Sequence, residues 1–282
     1  MNLINKQTHP LIISSYSKKS SIIYDDPGNK NFLYGKLTID FLKKIKIKKK
    51  NSILVDIGCG TGIVFDILYK KIKKKNISCF GIDPATGMLK LAKKKFKNEK
   101  NIYFLKGSFG KIPLKSKSVD KIISTLALHW VPSINIAIKE LKRVLKSDGS
   151  IEIFMIEKDD GKKFKIPIFK AIKKHLSLKQ IFKVAQLTQR LSINQIYRIF
   201  GKYFDLKNEY KLSIKNTKKI IYGTYEQHMK WWKIRSGQII AKVKNKNSFN
   251  KDLKNELEKI EKTKGIPFDL SVLYIKLENK ST

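Results

Sequence analysis

From residue 51 onward, short apolar runs alternate with stretches in which apolar residues recur every three or four positions. The runs at 53–56, 79–82, 102–105, 121–124 and 150–155 are short and mostly apolar, as expected for strands buried on both faces. Between the first three, 63–68 and 84–92 carry helical spacing. Strands separated by helices lie parallel, because a parallel pair needs a crossover. Upstream, 32–47 set Leu33, Leu37, Phe41 and Ile45 on one helical face. Downstream the rhythm breaks. Residues 158–165 are polar and read as a loop, 169–190 and 193–200 as helices, and 204–214 as a sixth strand in which Leu212 and Ile214 alternate. A helix carrying Trp231 and Trp232 is expected over 218–242, a charged amphipathic helix over 249–262, and a last strand over 267–277. The pattern divides the chain into a helical leader at 1–50, an α/β core at 51–156, a helical cap at 157–200 and the remaining core strands with a further helical segment at 201–282.

The sharpest local signal is Val55-Asp56-Ile57-Gly58-Cys59-Gly60-Thr61-Gly62, which closes the first strand and opens the first crossover helix. Alternate glycines let a backbone turn sharply and approach a ligand closely, and a helix start offers unpaired N–H groups. The glycine pattern alone is weak. It gains weight because the second strand ends on Asp83, and an acid there typically binds ribose hydroxyls. The third glycine comes one residue earlier than in the usual dinucleotide fingerprint.

Taken together, "VDIGCGTG", "GIDPATGML", "VDKIISTLALHWV" and "LKRVLKSDG" resemble the class I S-adenosylmethionine-dependent methyltransferases over roughly residues 50–157. The resemblance implies a Rossmann-like seven-stranded sheet with helices on both faces, its last strand inserted antiparallel beside the fifth. It implies S-adenosylmethionine as cofactor. Asp56 would meet the methionine end, Gly58, Cys59, Gly60 and Gly62 would form the close-approach loop, and Asp83 would hold the ribose. Pro84, Met88, Ser108, Phe109 and Leu126 would complete the cofactor site, with Ser108 standing where the family often has an acid for the adenine amino group. After the fourth strand, "LALHWV" resembles enzymes that esterify small carboxylates, such as the malonyl carrier-protein and trans-aconitate methyltransferases, and a wider small-molecule group. His129 is then the candidate base. Tyr16, Tyr24, Trp130, Arg190, Arg198 and Arg235 are candidate substrate contacts, because scarce arginines suit bidentate capture of a carboxylate.

Charge changes this picture less than its size suggests. The net charge is +38, yet of 61 basic residues only positions 143, 190, 198 and 235 are arginine. Lysine is spread along the whole chain with abundant isoleucine and asparagine, the composition of an AT-rich coding sequence. A dedicated RNA groove also uses arginine forks and stacking aromatics, so an RNA or protein substrate is the alternative that charge alone supports. A non-catalytic assembly factor is a second alternative, which the intact glycine loop disfavours. Cys59 and Cys79 read as small core residues, and no Cys/His cluster suggests a metal. Neither a signal segment nor an 18-residue apolar run is present. The expectation is a cytoplasmic enzyme, monomer or homodimer, acting by O-methylation on a small or acyl-carrier-bound acceptor.

Overall fold

The computed structural model describes residues 13, 14, 16, 32–185, 189–235 and 242–281. Helix α1 (Tyr34–Lys44) precedes β1 (Ile53–Ile57), α2 (Ile63–Lys75), β2 (Ser78–Asp83), α3 (Thr86–Lys95), β3 (Ile102–Lys106) and β4 (Val119–Thr125). A single 3₁₀ turn (Leu128–Trp130) leads to α4 (Ile134–Val144) and β5 (Leu145–Ile156). Then follow α5 (Lys162–Lys173), α6 (Leu178–Ala185), α7 (Ile193–Gly201), β6 (Tyr210–Gly223), α8 (Tyr225–Arg235), α9 (Lys246–Glu258) and β7 (Ile266–Asn279).

The sheet has seven strands in the order β3-β2-β1-β4-β5-β7-β6. The first five are parallel, and β7 runs antiparallel between β5 and β6. This is the doubly wound arrangement expected from the sequence. Its order reverses at β1, which lies between β2 and β4, and ligands of such sheets bind beyond the carboxyl ends of the strands at that point.

Two apolar layers bury the sheet. One side is packed by α1, α2, α3, α5, α8 and α9 through residues such as Phe41, Phe65, Leu89, Phe164, Trp232 and Leu253. The other is packed by α4, α7 and the 3₁₀ turn through Ile138, Leu141, Ile196, Phe200 and Leu128. All four residues placed on the leader's apolar face are buried. Phe41 stacks 5.7 Å from Phe154 and 5.5 Å from Tyr274, so α1 covers the sheet and not the strand ends.

Downstream of residue 157 the structure corrects four expectations. Helix α5 begins at Lys162, inside the expected loop, because Pro167 in its interior and the lysines around it mask an apolar face of Phe164, Ile168, Ala171 and Ile172. The expected helix over 169–190 is two helices, broken near Ser177, where Gln180 and Ser177 bond each other at the start of α6. Strand β6 starts at Tyr210 and continues through Gly223, taking 218–223 from the expected helix, since all fourteen of its residues pair with β7. The described residues of 157–200 do not cover the cavity described next: α5 packs on α9 and β7, α7 packs on α4, and none of these residues lines it.

Candidate cofactor and acceptor site

At the carboxyl ends of β1, β2 and β4 lies a partly open cavity of about 660 Å³, counting the solvent at its mouth. Its floor is the glycine loop. Gly58, Gly60 and Gly62 all have positive φ. The Gly58 and Cys59 N–H groups donate to the Ile82 carbonyl at 2.8 and 3.2 Å, the Gly60 N–H to Asp83 Oδ2 at 2.9 Å, and the Gly62 N–H to the Cys59 carbonyl at 2.9 Å. These four loop amides are therefore satisfied within the protein, and at these positions the loop serves by close approach. A Cβ on Gly58 would stand 2.2 Å from Ala127 Cβ, so glycine lets this loop meet the loop after β4. Gly62 serves helix packing instead, since a Cβ there would meet Phe96 at 2.8 Å, where α2 packs on α3. Gly62 and Cys59 do not line the cavity, and the Cys59 thiol is buried toward Gly60 and Gly81.

Two acids define the polar end. Asp83 closes β2 with one oxygen accepting from Gly60 and the other from the Ala85 N–H at 2.8 Å. Each oxygen keeps a lone pair. Burial pushes its carboxyl up to about 6, against the two amides that hold it down. Asp56 lies one strand inward, fully buried, paired in register with Gly81 and Ile123. Neither of its carboxylate oxygens has a hydrogen-bond partner among the described residues, and the same holds for the Ser124 hydroxyl on β4. Burial, and then the nearby Asp83 charge, raise Asp56 well above the ordinary carboxylate range. Buried polar atoms without partners are rare and mark sites awaiting a ligand or an ion.

That arrangement predicts the behaviour of Asp56→Asn. Shape is kept and the ionisable group removed, so the variant is expected to be more stable than the parent at neutral and alkaline pH, by about 1–3 kcal/mol. The sign follows from linkage: an acid with a raised folded pKa loses stability as pH rises through it. The gap should close as pH falls toward the ordinary carboxylate range. Urea unfolding at several pH values checks this, and an equal gap at every pH would contradict it.

The remaining wall is apolar. Pro84, Ala85, Met88 and Phe109 line one side, with Ser108 at its edge. The Ser108 turn is held by Arg143, which donates to the Ile112 and Leu114 carbonyls at 2.9 Å and forks onto Glu140. Opposite stand Thr125, Leu126 and Ala127. Leu126 has φ 53°, rare for a non-glycine residue and typical of functional turns. Trp130 and Tyr16 meet edge to face at 6.2 Å and close the cavity together with Ile13.

The cavity thus gathers Gly58, Gly60, Asp83, Pro84, Met88, Ser108, Phe109 and Leu126 of the expected cofactor residues, and Tyr16 and Trp130 of the expected acceptor residues. Asp56 lies behind it. His129 is buried in the 3₁₀ turn, its ring 5.1 Å from Trp130, and is not part of the wall. Arg190 is turned away: its guanidinium bonds the Asp160 carbonyl at 3.1 Å and sits 3.6 Å from the Asp160 carboxylate. Arg198 is exposed on α7. Trp231 and Trp232 are core residues against Tyr34, Phe268 and Phe249. Tyr24 lies outside the described residues, as does the side chain of Arg235. Ile13, Ala85, Thr125 and Ala127 were not anticipated; only Ala85 and Thr125 had a signal, one following Asp83-Pro84 and the other closing a strand.

Residues 55–153 match the family described as Methyltransferase domain. Among curated relatives, the Ubiquinone/menaquinone biosynthesis C-methyltransferase UbiE of Campylobacter jejuni is 34% identical over 113 residues, 39% of this chain and 47% of that protein. The Malonyl-[acyl-carrier protein] O-methyltransferase of Priestia megaterium is 35% identical over 98 residues, 35% of this chain and 34% of that protein. The chain thus spans half or less of the length of these relatives. Among solved structures, the YcgJ protein from Bacillus subtilis superposes with a TM-score of 0.58 at 16% identity, covering 86% of this chain and 98% of that one. Phosphoethanolamine N-methyltransferase 2 of Haemonchus contortus, solved with S-adenosyl-L-methionine, gives 0.55 at 17% identity, covering 94% and 56%. The methyltransferase-domain match over residues 55–153, which starts one residue before Asp56, together with a sheet of this order and this glycine-floored cavity, makes that part of the chain similar to the class I S-adenosylmethionine-dependent methyltransferases.

Proposed function

We propose that this chain transfers the S-methyl group of S-adenosylmethionine to a carboxylate oxygen of a small or carrier-bound acid. The residues fit that cofactor. The partnerless Asp56 carboxylate and Ser124 hydroxyl suit the ammonium end, directly or through water. Asp83 offers the two lone pairs that vicinal ribose hydroxyls need. Pro84, Met88 and Phe109 give flat apolar cover for the adenine, and Ser108 an acceptor for its amino group. The bound cofactor supplies an activated methyl on a sulfonium, so the protein's work is to orient the acceptor in line and exclude water.

The observation that carries the acceptor class is the chemistry of the wall. Among the described lining residues, Asp83 and Tyr16 are the titratable ones, and Asp83 is committed to the ribose. A hydroxyl acceptor would need a base there, and His129 is not placed to be one. A carboxylate is already ionised at neutral pH and needs none. Both the O-methyltransferase relative, named for a malonyl carrier protein, and the overall positive charge favour an anionic acceptor. Carbon methylation is the second reading, favoured by the UbiE relatives.

The test is to incubate the purified protein with methyl-labelled S-adenosylmethionine and three acceptors: free dicarboxylic acids, a malonyl thioester on a carrier protein, and a demethylated quinol. Alkali releases methanol from an ester and leaves a carbon-bound methyl in place. Label transferred to an acid and released by alkali is expected. Label that survives alkali overturns a carboxylate oxygen as the target. Absence of cofactor binding by calorimetry overturns the activity.

A further inference from the structure

We propose that the outward face of α5 and α6 is a docking surface for an anionic lipid bilayer. A surface helix usually turns its apolar stripe inward and a polar stripe outward. Here α5 buries Phe164, Ile168 and Ala171, yet its outer side also carries Ile166, 54% exposed, and Phe169, 46% exposed. Helix α6, packed beside it, adds Leu178 at 55% and Phe182 at 64%, one turn apart on a single face. Near the start of α5, Ile220 of β6, 61% exposed, shares a groove with Lys162 and Lys163. These are among the most exposed large apolar side chains of the described residues, and α5 and α6, which carry four of them, pack on each other.

Charge decides the occupant. From 162 to 185 the sequence holds eight lysines and no acid. Lys165 turns inward to the Asp160 carbonyl, and Lys174 pairs with Asp252 at 2.8 Å. Lys162 sits 3.9 Å from Asp159, while Lys163, Lys170, Lys173 and Lys179 are exposed around the apolar residues. Apolar side chains in the middle of a face with lysines along its margins match a surface that is apolar within and anionic at its boundary. Lysine stems are long enough to lie beside the acyl region while the ammonium stays among headgroups. Nucleic acid is a poorer match, because isoleucine and leucine offer no stacking plane and this face holds no arginine. No described helix is long and apolar enough to cross a membrane, so the association is peripheral. After α6 the chain returns at Gln189, whose N–H donates to the His129 carbonyl at 2.7 Å.

The experiment is co-sedimentation of the full chain with vesicles of phosphatidylcholine alone and of phosphatidylcholine with phosphatidylglycerol. Binding to the anionic vesicles is expected, with roughly tenfold or greater loss in the double variant Phe169→Ser with Phe182→Ser. Both side chains are exposed, so the variant should keep the parent's melting temperature. A second variant, Phe182→Trp, should shift its emission to the blue on adding anionic vesicles and not neutral ones. Unchanged binding of the double variant would mean that scattered lysines alone attract the vesicles, and would overturn the proposal. So would a tryptophan that does not shift, or RNA or acidic-protein binding that depends on Phe169 and Phe182 while vesicles are ignored.

Discussion

Replacing Asp83 with alanine is expected to weaken S-adenosylmethionine binding roughly 100-fold or more while the protein stays folded. On the proposed contact, two ribose hydroxyls donate to a carboxylate, and each charge-assisted bond contributes about 1.5–3 kcal/mol. Losing both costs on the order of 3–6 kcal/mol, and each 1.4 kcal/mol is about tenfold in affinity. The fold should tolerate the change, because two opposing effects are removed together. The Gly60 and Ala85 amides lose their acceptor, but a carboxyl held up at about 6 by burial is gone. The same feature gives a pH signature in the parent. Affinity should hold above about 6 and fall below it, as the protonated oxygen stops accepting. Stability should move the other way. Between the ordinary carboxylate range and about 6 the folded state binds more protons than the unfolded one, so unfolding free energy declines as pH rises, by on the order of 3 kcal/mol across the window. Calorimetric titration and urea melts from about pH 4 to about pH 8, spanning the ordinary carboxylate range and the raised value, would show affinity rising and stability falling with pH. Cofactor affinity that is flat with pH, or unchanged in Asp83→Ala, would place the ribose elsewhere.

The largest effect on stability should come from Asp160→Ala, with a loss of about 3–5 kcal/mol. Asp160 is 1% exposed, just beyond β5, and ties three parts of the chain together. The Tyr34 hydroxyl donates to it from α1, the Ser271 N–H from β7 at 2.8 Å, and the Arg190 guanidinium lies 3.6 Å away. Deleting the carboxylate leaves the partly buried Arg190 guanidinium with the residue-160 carbonyl but no carboxylate, and removes an acceptor from the Tyr34 hydroxyl and from a buried strand amide. Asp160→Asn keeps one acceptor and should lose less. Urea midpoints check the order parent, Asn, Ala. An alanine variant as stable as the parent would show that these bonds offset only their own desolvation.

The part of the cavity expected to hold the cofactor was legible because its residues are dictated by local backbone needs. A positive-φ turn demands glycine at Gly58, and a strand-end acid at Asp83 sits one hydrogen bond from that turn, so sequence spacing and spatial contact coincide. The acceptor half was not legible in this way. His129 and Trp130 are consecutive on a one-turn 3₁₀ helix, and no periodicity says which of two neighbours points to the cavity. Arg190 looked like a scarce binding group, but its partner Asp160 is thirty residues away and invisible to spacing. Beyond the sheet core, β6 was misjudged because Lys218 and Lys219 look like a solvated helix face. Pairing with β7 outweighed that local preference. Helix α5 was hidden by Pro167, which reads as a breaker wherever its tertiary context is unknown.

The position of β6 gives the lysine-rich composition a consequence beyond charge. Among the described residues β6 borders the sheet with β7 on one side only. Fourteen residues of such a border offer a long template for another chain to add a strand and begin a fibre. Lys211, Lys215, Lys218 and Lys219 are all exposed along it. Two approaching copies would bring like charges together before their backbones could bond. A bias that looks neutral codon by codon thus acts here as a gatekeeper against self-association, and acetylating or neutralising these four side chains would remove the barrier without touching the cavity.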